Sequence, residues 1–485
     1  MEEIGLEMIK KRSVVGVVAL TSRTFFLQLV NFFSMFLLTV FLVPEVFGVF
    51  FVVTAVVNFL NYFSDIGLAA ALIQKKEKLT DSDLKTTFTI QQILVVFLVI
   101  VALLGSTRLA IFYKLSPAGL WLFRALVVSF FLSSLKTIPS VILERRLDFG
   151  RLIVPQIGET IIFNIVAVFL AWKGTGVASF TWAVLARGIV GLILMYVVSP
   201  WVPGFALDKS SAKRLLSFGV PFQANSLLAL AKDDLLTVFL GKILPFSQVG
   251  FIGWAQKWAN MPLRFIMDNV IKVTFPAYAR LQDNLSALRA GIEKALFAVC
   301  FLTFPALFGL AVLASSLVEF LPRYIKWQPA LMALYFFCLQ ASFACVSTIL
   351  TNVLNATGRI KTTLKLMIFW TILTWIFTPI FIYFWGFNGV APAAVLVAAT
   401  VVLPIWLVKR IIDFSLWDNV GKPLLGALIM GGMLWLIAPL VVRNLWGIAL
   451  AVLLGAIIYL AIMLLLARKK IFEAKNLVLG VIKNE

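Results

Sequence analysis

A chain of 485 residues that is 62% hydrophobic and 13% charged, with a mean hydropathy of +1.02, is excluded from the water-soluble class and reads as a polytopic membrane protein. Its formal charge of +20, from 42 Lys and Arg against 22 Asp and Glu, is spread over short segments that form no soluble basic module, so no nucleic acid is expected as a partner. Histidine is absent, which removes any His-based proton relay, nucleophile-base pair or metal site.

In chain order, apolar runs of bilayer-spanning length fall at 16–43, 46–73, 86–111, 120–143, 152–172, 177–198, 218–240, 246–275, 295–318, 330–354, 364–385, 390–408, 423–442 and 446–467. The expected fold is all-α, with about 14 transmembrane helices. The longest intervening loops, 199–217 and 276–294, have 19 residues each, leaving no room for an extramembrane catalytic domain. The first run is too long for a signal-peptide core and lacks a convincing cleavage site, so no cleaved signal is expected. Cys300, Cys338 and Cys345 all lie within spans, where packing is the expected role.

Lys and Arg concentrate in the termini and in the loops after even-numbered spans. Cytoplasmic loops retain basic residues, so both termini are predicted to be cytoplasmic, with the protein multi-pass in the cytoplasmic membrane and its basic belt facing anionic lipid.

An internal duplication divides the chain. The hexapeptide LLTVFL occurs at 37–42 and again at 235–240, followed by Pro44 and Gly48 in one copy and by Pro245 and Gly250 in the other. A weaker echo joins 144–149 (ERRLDF) to 355–360 (NATGRI). Six spans per repeat give both copies the same orientation, related by an axis along the membrane normal. The predicted organisation is two parallel six-helix bundles, 1–200 and 201–411, around a central cationic cleft, with two accessory helices and a basic tail over 412–485.

Eight cations lie inside predicted spans: Arg23, Arg124, Lys136, Arg187, Lys232, Lys257, Arg264 and Lys272. Each costs roughly 2.5–3.5 kcal/mol in an apolar helix. Only five acids, Asp65, Glu159, Asp233, Asp234 and Asp268, lie at comparable depth, so pairing cannot neutralise all the cations. A hydrated, positively charged cavity that receives an anion is the expected result. Lys257, Arg264, Asp268 and Lys272, at spacings of 0, +7, +11 and +15, fall within about 80° of a helix surface. Trp254 and Trp258 nearby suit sugar stacking, and snorkelling of Lys272 with Arg264–Asp268 pairing is the alternative. Arg23 and Asn31 in span 1, Lys136, Arg187 and Lys232 complete the candidate anion-binding set, because guanidinium groups bind phosphate oxygens bidentately. The adjacent carboxylates Asp233 and Asp234, with Glu159 and Asp268, are candidates for carrying H+ or Na+; ion pairing with neighbouring cations is the competing role. No cofactor, metal or nucleotide-binding loop is expected.

Residues 234–242 (DLLTVFLGK), Val249, Gly250 and 273–283 (VTFPAYARLQD), with 44–50 (PEVFGVF) and 64–74 (SDIGLAAALIQ), resemble the polysaccharide transporter family of the multidrug/oligosaccharidyl-lipid/polysaccharide exporter superfamily. That resemblance implies a flippase for polyprenyl-diphosphate-linked oligosaccharides, precursors of O-antigen, capsule, exopolysaccharide or teichuronic acid, with a cationic cavity for the diphosphate. The partners would be the lipid-linked oligosaccharide, membrane lipids, and a polysaccharide polymerase or glycosyltransferases. The competing readings are a cation-coupled multidrug exporter, which should favour an acidic cavity, and a membrane-embedded polymerase or ligase, which the missing histidine and short loops disfavour.

Overall fold

The computed structural model describes residues 6–75, 77, 79–224 and 227–473; most of the predicted C-terminal basic tail lies outside them. Among the described residues there are helices and no strands. Among the described residues, eleven stretches are long and apolar enough to cross a bilayer, and one of them, Ile360–Lys409, has 50 residues and contains two predicted crossings. These account for twelve of the fourteen predicted spans. The other two are 218–240, of which residues 225 and 226 lie outside the described residues, and 246–275, where Lys257, Arg264, Asp268 and Lys272 interrupt the apolar sequence. Packing separates the chain into two compact units, Met1–Gly250 and Phe251–Glu485.

The first unit contains α1 (Leu6–Phe41), α2 (Pro44–Tyr62), α3 (Leu68–Gln74), α4 (Asp81–Tyr113), α5 (Pro117–Ser134), α6 (Thr137–Arg145), α7 (Phe149–Trp172), α8 (Ala178–Val198), α9 (Lys209–Ala224), α10 (Leu227–Ile243) and the start of α11 (Phe246–Leu281). The α7–α8 hairpin is its centre, with α1 packed on α7 and α5 on α8. Phe50 and Phe180 stack with centroids 4.1 Å apart, beside the buried Phe47. Local signals set the helix starts. Thr80 and Asp83 form a capping box at α4, and Ser116 caps α5 with Pro117 in its first turn.

Two predicted spans are interrupted. The 46–73 run breaks after Tyr62, where Gly67 adopts φ 72° and lies against Gly219: a Cβ on either would overlap the backbone of the other. Asp65 restarts the chain by accepting the Ala69 amide at 3.1 Å. The 120–143 run breaks between α5 and α6, at Leu135 and Lys136. Backbone freed at membrane depth needs new partners; the Tyr196 hydroxyl donates to the Leu135 carbonyl at 3.1 Å.

The duplicated turns meet within this unit. A Cβ on Gly48 would overlap the Phe246 carbonyl, and one on Gly250 would overlap the Pro44 carbonyl. Each copy of the Pro-to-Gly turn thus admits the backbone of the other, and α2 packs along α10.

The second unit comprises the rest of α11, α12 (Leu285–Phe320), α13 (Leu331–Ala356), α14 (Ile360–Trp385), α15 (Val390–Ala399), α16 (Val402–Lys409), α17 (Lys422–Val441) and α18 (Leu445–Leu466). A π-helical turn, Trp417–Gly421, leads into α17. The helices beyond the duplication, α17 and α18, pack on each other and on α12. All three cysteines are free and buried, with Cys300 and Cys345 sulfurs 3.9 Å apart; they fill core space.

Candidate functional site

In the first unit the chemistry converges on Glu159, midway along α7. Its carboxylate takes the Lys136 ammonium on Oε1, while Arg187 Nε lies 3.5 Å from Oε2. Lys136 reaches it because the chain is non-helical at that point, and the break is braced: Gln91 Nε2 donates to Thr137 Oγ1 at 2.8 Å and Gln92 Nε2 to Ser134 Oγ at 3.2 Å. Gly191, one turn beyond Arg187 on α8, makes room for the acid; a Cβ there would strike the Glu159 carboxylate. Lys136 and Glu159 side chains are only 12% and 13% exposed, whereas Arg187 is 56% exposed. One carboxylate therefore holds two cations, and the Arg187 guanidinium keeps most of its five donors for other acceptors.

A second polar seam joins α1 to α7. Asn164 Nδ2 donates to Asn31 Oδ1 at 3.0 Å and also to the Thr160 carbonyl at 2.9 Å. Buried atoms Arg23 Nε, Gln28 Oε1 and Gln156 Oε1 on these helices make no hydrogen bond among the described residues, an arrangement that costs free energy unless a ligand or water supplies partners. On α10, Asp234 Oδ1 accepts from Asn58 Nδ2 of α2 at 3.0 Å, Asp233 is exposed and Lys232 is half-buried. Asn58, Gln156, Asn164 and Gly191 were not singled out by sequence. The first three are polar residues inside apolar runs, a signal that could have found them; Gly191 carries none.

In the second unit, Lys257, Arg264, Asp268 and Lys272 are all exposed along α11, while Ile252, Ala255, Ala259, Leu263 and Met267 on the opposite side are buried. The stripe expected from the spacing is therefore the open face of the helix, bearing three cations and one acid. Trp254 lies elsewhere: it is 3% exposed, stacked on Trp327 with centroids 5.2 Å apart, and edged by Trp258 and Tyr324. Its ring faces thus serve an aromatic core that steadies the first turns of α11. Among the described residues, no three Asp, Glu or Cys come together as a metal site.

Each unit separately presents more positive than negative charge on polar, accessible side chains, an arrangement that can bind an anionic group and release it by exchange with water. The sequence of residues 37–330 matches the model of a family described as polysaccharide biosynthesis proteins. A lipopolysaccharide biosynthesis protein, WzxC of Escherichia coli (strain K12), is 24% identical over 337 residues, 67% of this chain and 66% of that protein. Among solved structures, the inward closed form of the lipid II flippase MurJ aligns with a TM-score of 0.76 at 17% identity, over 93% of this chain and 99% of that one. An inward-facing multidrug resistance MATE transporter of the MOP superfamily aligns with 0.60 at 17% identity, over 79% and 94%. Both structural likenesses are likenesses of fold, and the family match covers well over half of the chain. The chain therefore belongs to the polysaccharide biosynthesis protein family.

Proposed function

We propose that the protein flips a polyprenyl-diphosphate-linked oligosaccharide from the cytoplasmic to the outer leaflet of the cytoplasmic membrane by alternating access, with both termini cytoplasmic, and that it catalyses no covalent chemistry. The observation that carries this reading is the open face of α11, where Lys257, Arg264 and Lys272 accompany a single acid, Asp268. A diphosphate matches that surplus, and a cationic drug does not. Within the first unit, Arg187, whose Nε lies 3.5 Å from Glu159, and Arg23 offer guanidinium donors of their own, and Asn31, Lys136 and Lys232 are that unit's further candidate contacts. The names of the relatives, lipopolysaccharide biosynthesis protein and lipid II flippase, point to the same substrate class. In this reading a polysaccharide polymerase or glycosyltransferases act before and after the flip. Glu159 serves as an ion-pair partner, and coupling to H+ or Na+ rests with Asp233 and Asp234.

The test is flipping of a diphosphate-linked oligosaccharide in proteoliposomes. Arg264→Ala and Lys257→Ala should each lower the rate about tenfold or more, the scale of a lost charge-assisted hydrogen bond, with normal insertion. Arg264→Lys should keep part of the rate, since charge survives without the bidentate fork. Wild-type rates in both alanine variants would overturn the reading, and export of a cationic dye in place of flipping would favour the multidrug alternative.

A further inference from the structure

The break between α2 and α3 is strained, and it is held from outside its own helix. Ile66 adopts φ 46° and Gly67 φ 72°, so two consecutive residues are left-handed. Glycine enters that conformation freely; for a β-branched side chain it is an outlier. Strain of this kind persists only where neighbours over-determine it. The run 46–73 contains no proline, so nothing in its covalent structure forbids one uninterrupted helix.

The neighbours that impose the break are on α9. Gly219 lies against the strained pair, where a Cβ would stand 2.6 Å from the Ile66 carbonyl oxygen. One turn later, Gln223 exchanges two hydrogen bonds with Tyr62, the last residue of α2. Its Nε2 donates to the Tyr62 carbonyl at 2.7 Å, and its own carbonyl accepts from the Tyr62 hydroxyl. In an uninterrupted helix the Tyr62 carbonyl would accept the Ile66 amide, four residues on. Among the described residues that amide makes no hydrogen bond. The side-chain amide of Gln223 thus stands in for the backbone amide of Ile66. In return, Tyr62 satisfies a carbonyl in the last turn of α9, where helices leave carbonyls without internal partners.

We propose that residues 63–67 are a two-state hinge: Gln223 holds them unwound, and when it withdraws they wind into a single helix running from α2 through α3. Winding gives the Tyr62 carbonyl to the Ile66 amide and returns Ile66 to right-handed φ, at the loss of the Asp65 cap on Ala69. Gain and loss are each on the scale of one hydrogen bond, so one side chain can select between the states. Lys75, at the end of α3, pairs with the buried Asp83 of α4 at 2.5 Å, and winding would carry that corner with it. The use of the hinge in transport rests on the alternating-access reading above; its existence does not.

Hydrogen exchange of the full-length protein in nanodiscs, resolved to single residues by fragmentation in the mass spectrometer, tests the hinge without a transport measurement. An ordinary supporting contact, once cut, speeds exchange nearby. The hinge requires the opposite: Gln223→Leu should slow exchange of the Ile66 amide about tenfold, the scale of one backbone hydrogen bond. Tyr62→Phe, which removes only the hydroxyl bond, should slow it less. Adding Ile66→Gly to Gln223→Leu should restore fast exchange at position 66, because glycine stays left-handed without strain. Unchanged or faster exchange at residue 66 in both single variants would overturn the proposal, as would continued protection in the double variant. Should Gln223→Leu fail to elute as a single species, Tyr62→Phe decides alone. Lost flipping with unchanged exchange would remove the hinge and leave the flippase reading standing.

Discussion

Gly48 and Gly250 face each other across the two copies of the duplicated turn: a Cβ on Gly250 would lie 3.3 Å from the Gly48 amide nitrogen and inside the Pro44 carbonyl, and one on Gly48 would overlap the Phe246 carbonyl. Backbone approaches backbone here because neither position carries a side chain. Gly48→Ala or Gly250→Ala should force the turns apart, at a cost of about 1–3 kcal/mol for overpacking. In a background lacking Cys300, Cys338 and Cys345, a cysteine replacing Val46, which is 7% exposed, should react slowly with a bulky maleimide in the parent and several times faster in either glycine variant. Equal rates would mean that the turns separate without resistance.

The Glu159 cluster makes a prediction about stability. Glu159→Gln leaves Lys136 and Arg187 facing each other without a counterion, and should destabilise the protein by about 1–3 kcal/mol; that is less than for a fully buried pair, because Arg187 is largely exposed. Adding Lys136→Gln should return part of the loss. Apparent melting temperatures of the detergent-purified single and double variants, taken at one scan rate, measure the coupling.

Asp234 is poised for a cleaner test of energy coupling, since Asn58 donates to its Oδ1. Asp234→Asn preserves an acceptor for that hydrogen bond and deletes the charge. Gradient-driven accumulation should vanish while passive exchange continues. A variant that still responds fully to an imposed pH or Na+ gradient would show that the acid is a structural partner.

At the start of α9, outside the spans, Asp208 accepts from the Ser210 hydroxyl at 2.7 Å and from the Ser211 amide at 3.0 Å. These bonds depress its pKa to about 2. A depressed carboxyl stabilises above its unfolded value of about 4 and loses that contribution as pH falls toward about 2. Pepsin cleavage near Leu215 should accelerate across that window in the parent, and the acceleration should be absent in Asp208→Asn, whose cap does not titrate.

The open face of α11 was legible because helical spacing alone brings Lys257, Arg264, Asp268 and Lys272 onto one side, and the apolar residues between them require the other side to be covered. The partners of Glu159 were not legible in the same way. Lys136 and Arg187 come from different helices, and Lys136 arrives only because a predicted continuous span is broken at its own position. A turn follows each copy of the repeated hexapeptide, but nothing in the pattern indicated that the glycines of the two turns would touch. Trp254, chosen for its proximity to polar residues, is occupied by Trp327. Stacking among aromatics is decided by three-dimensional neighbours, and α11 and the segment around Trp327 are more than 40 residues apart in sequence.

The missing side chain at Gly191 has a consequence for how charge in the α7–α8 hairpin can be altered. The Glu159 carboxylate occupies the space where a methyl group would stand, so an uncharged substitution there acts electrostatically: it displaces the acid that bridges Lys136 and Arg187 among the described residues without removing an ionisable residue. The pairing of these two cations is thus set by the size of one neutral residue, and alanine at this position would loosen it at unchanged net charge.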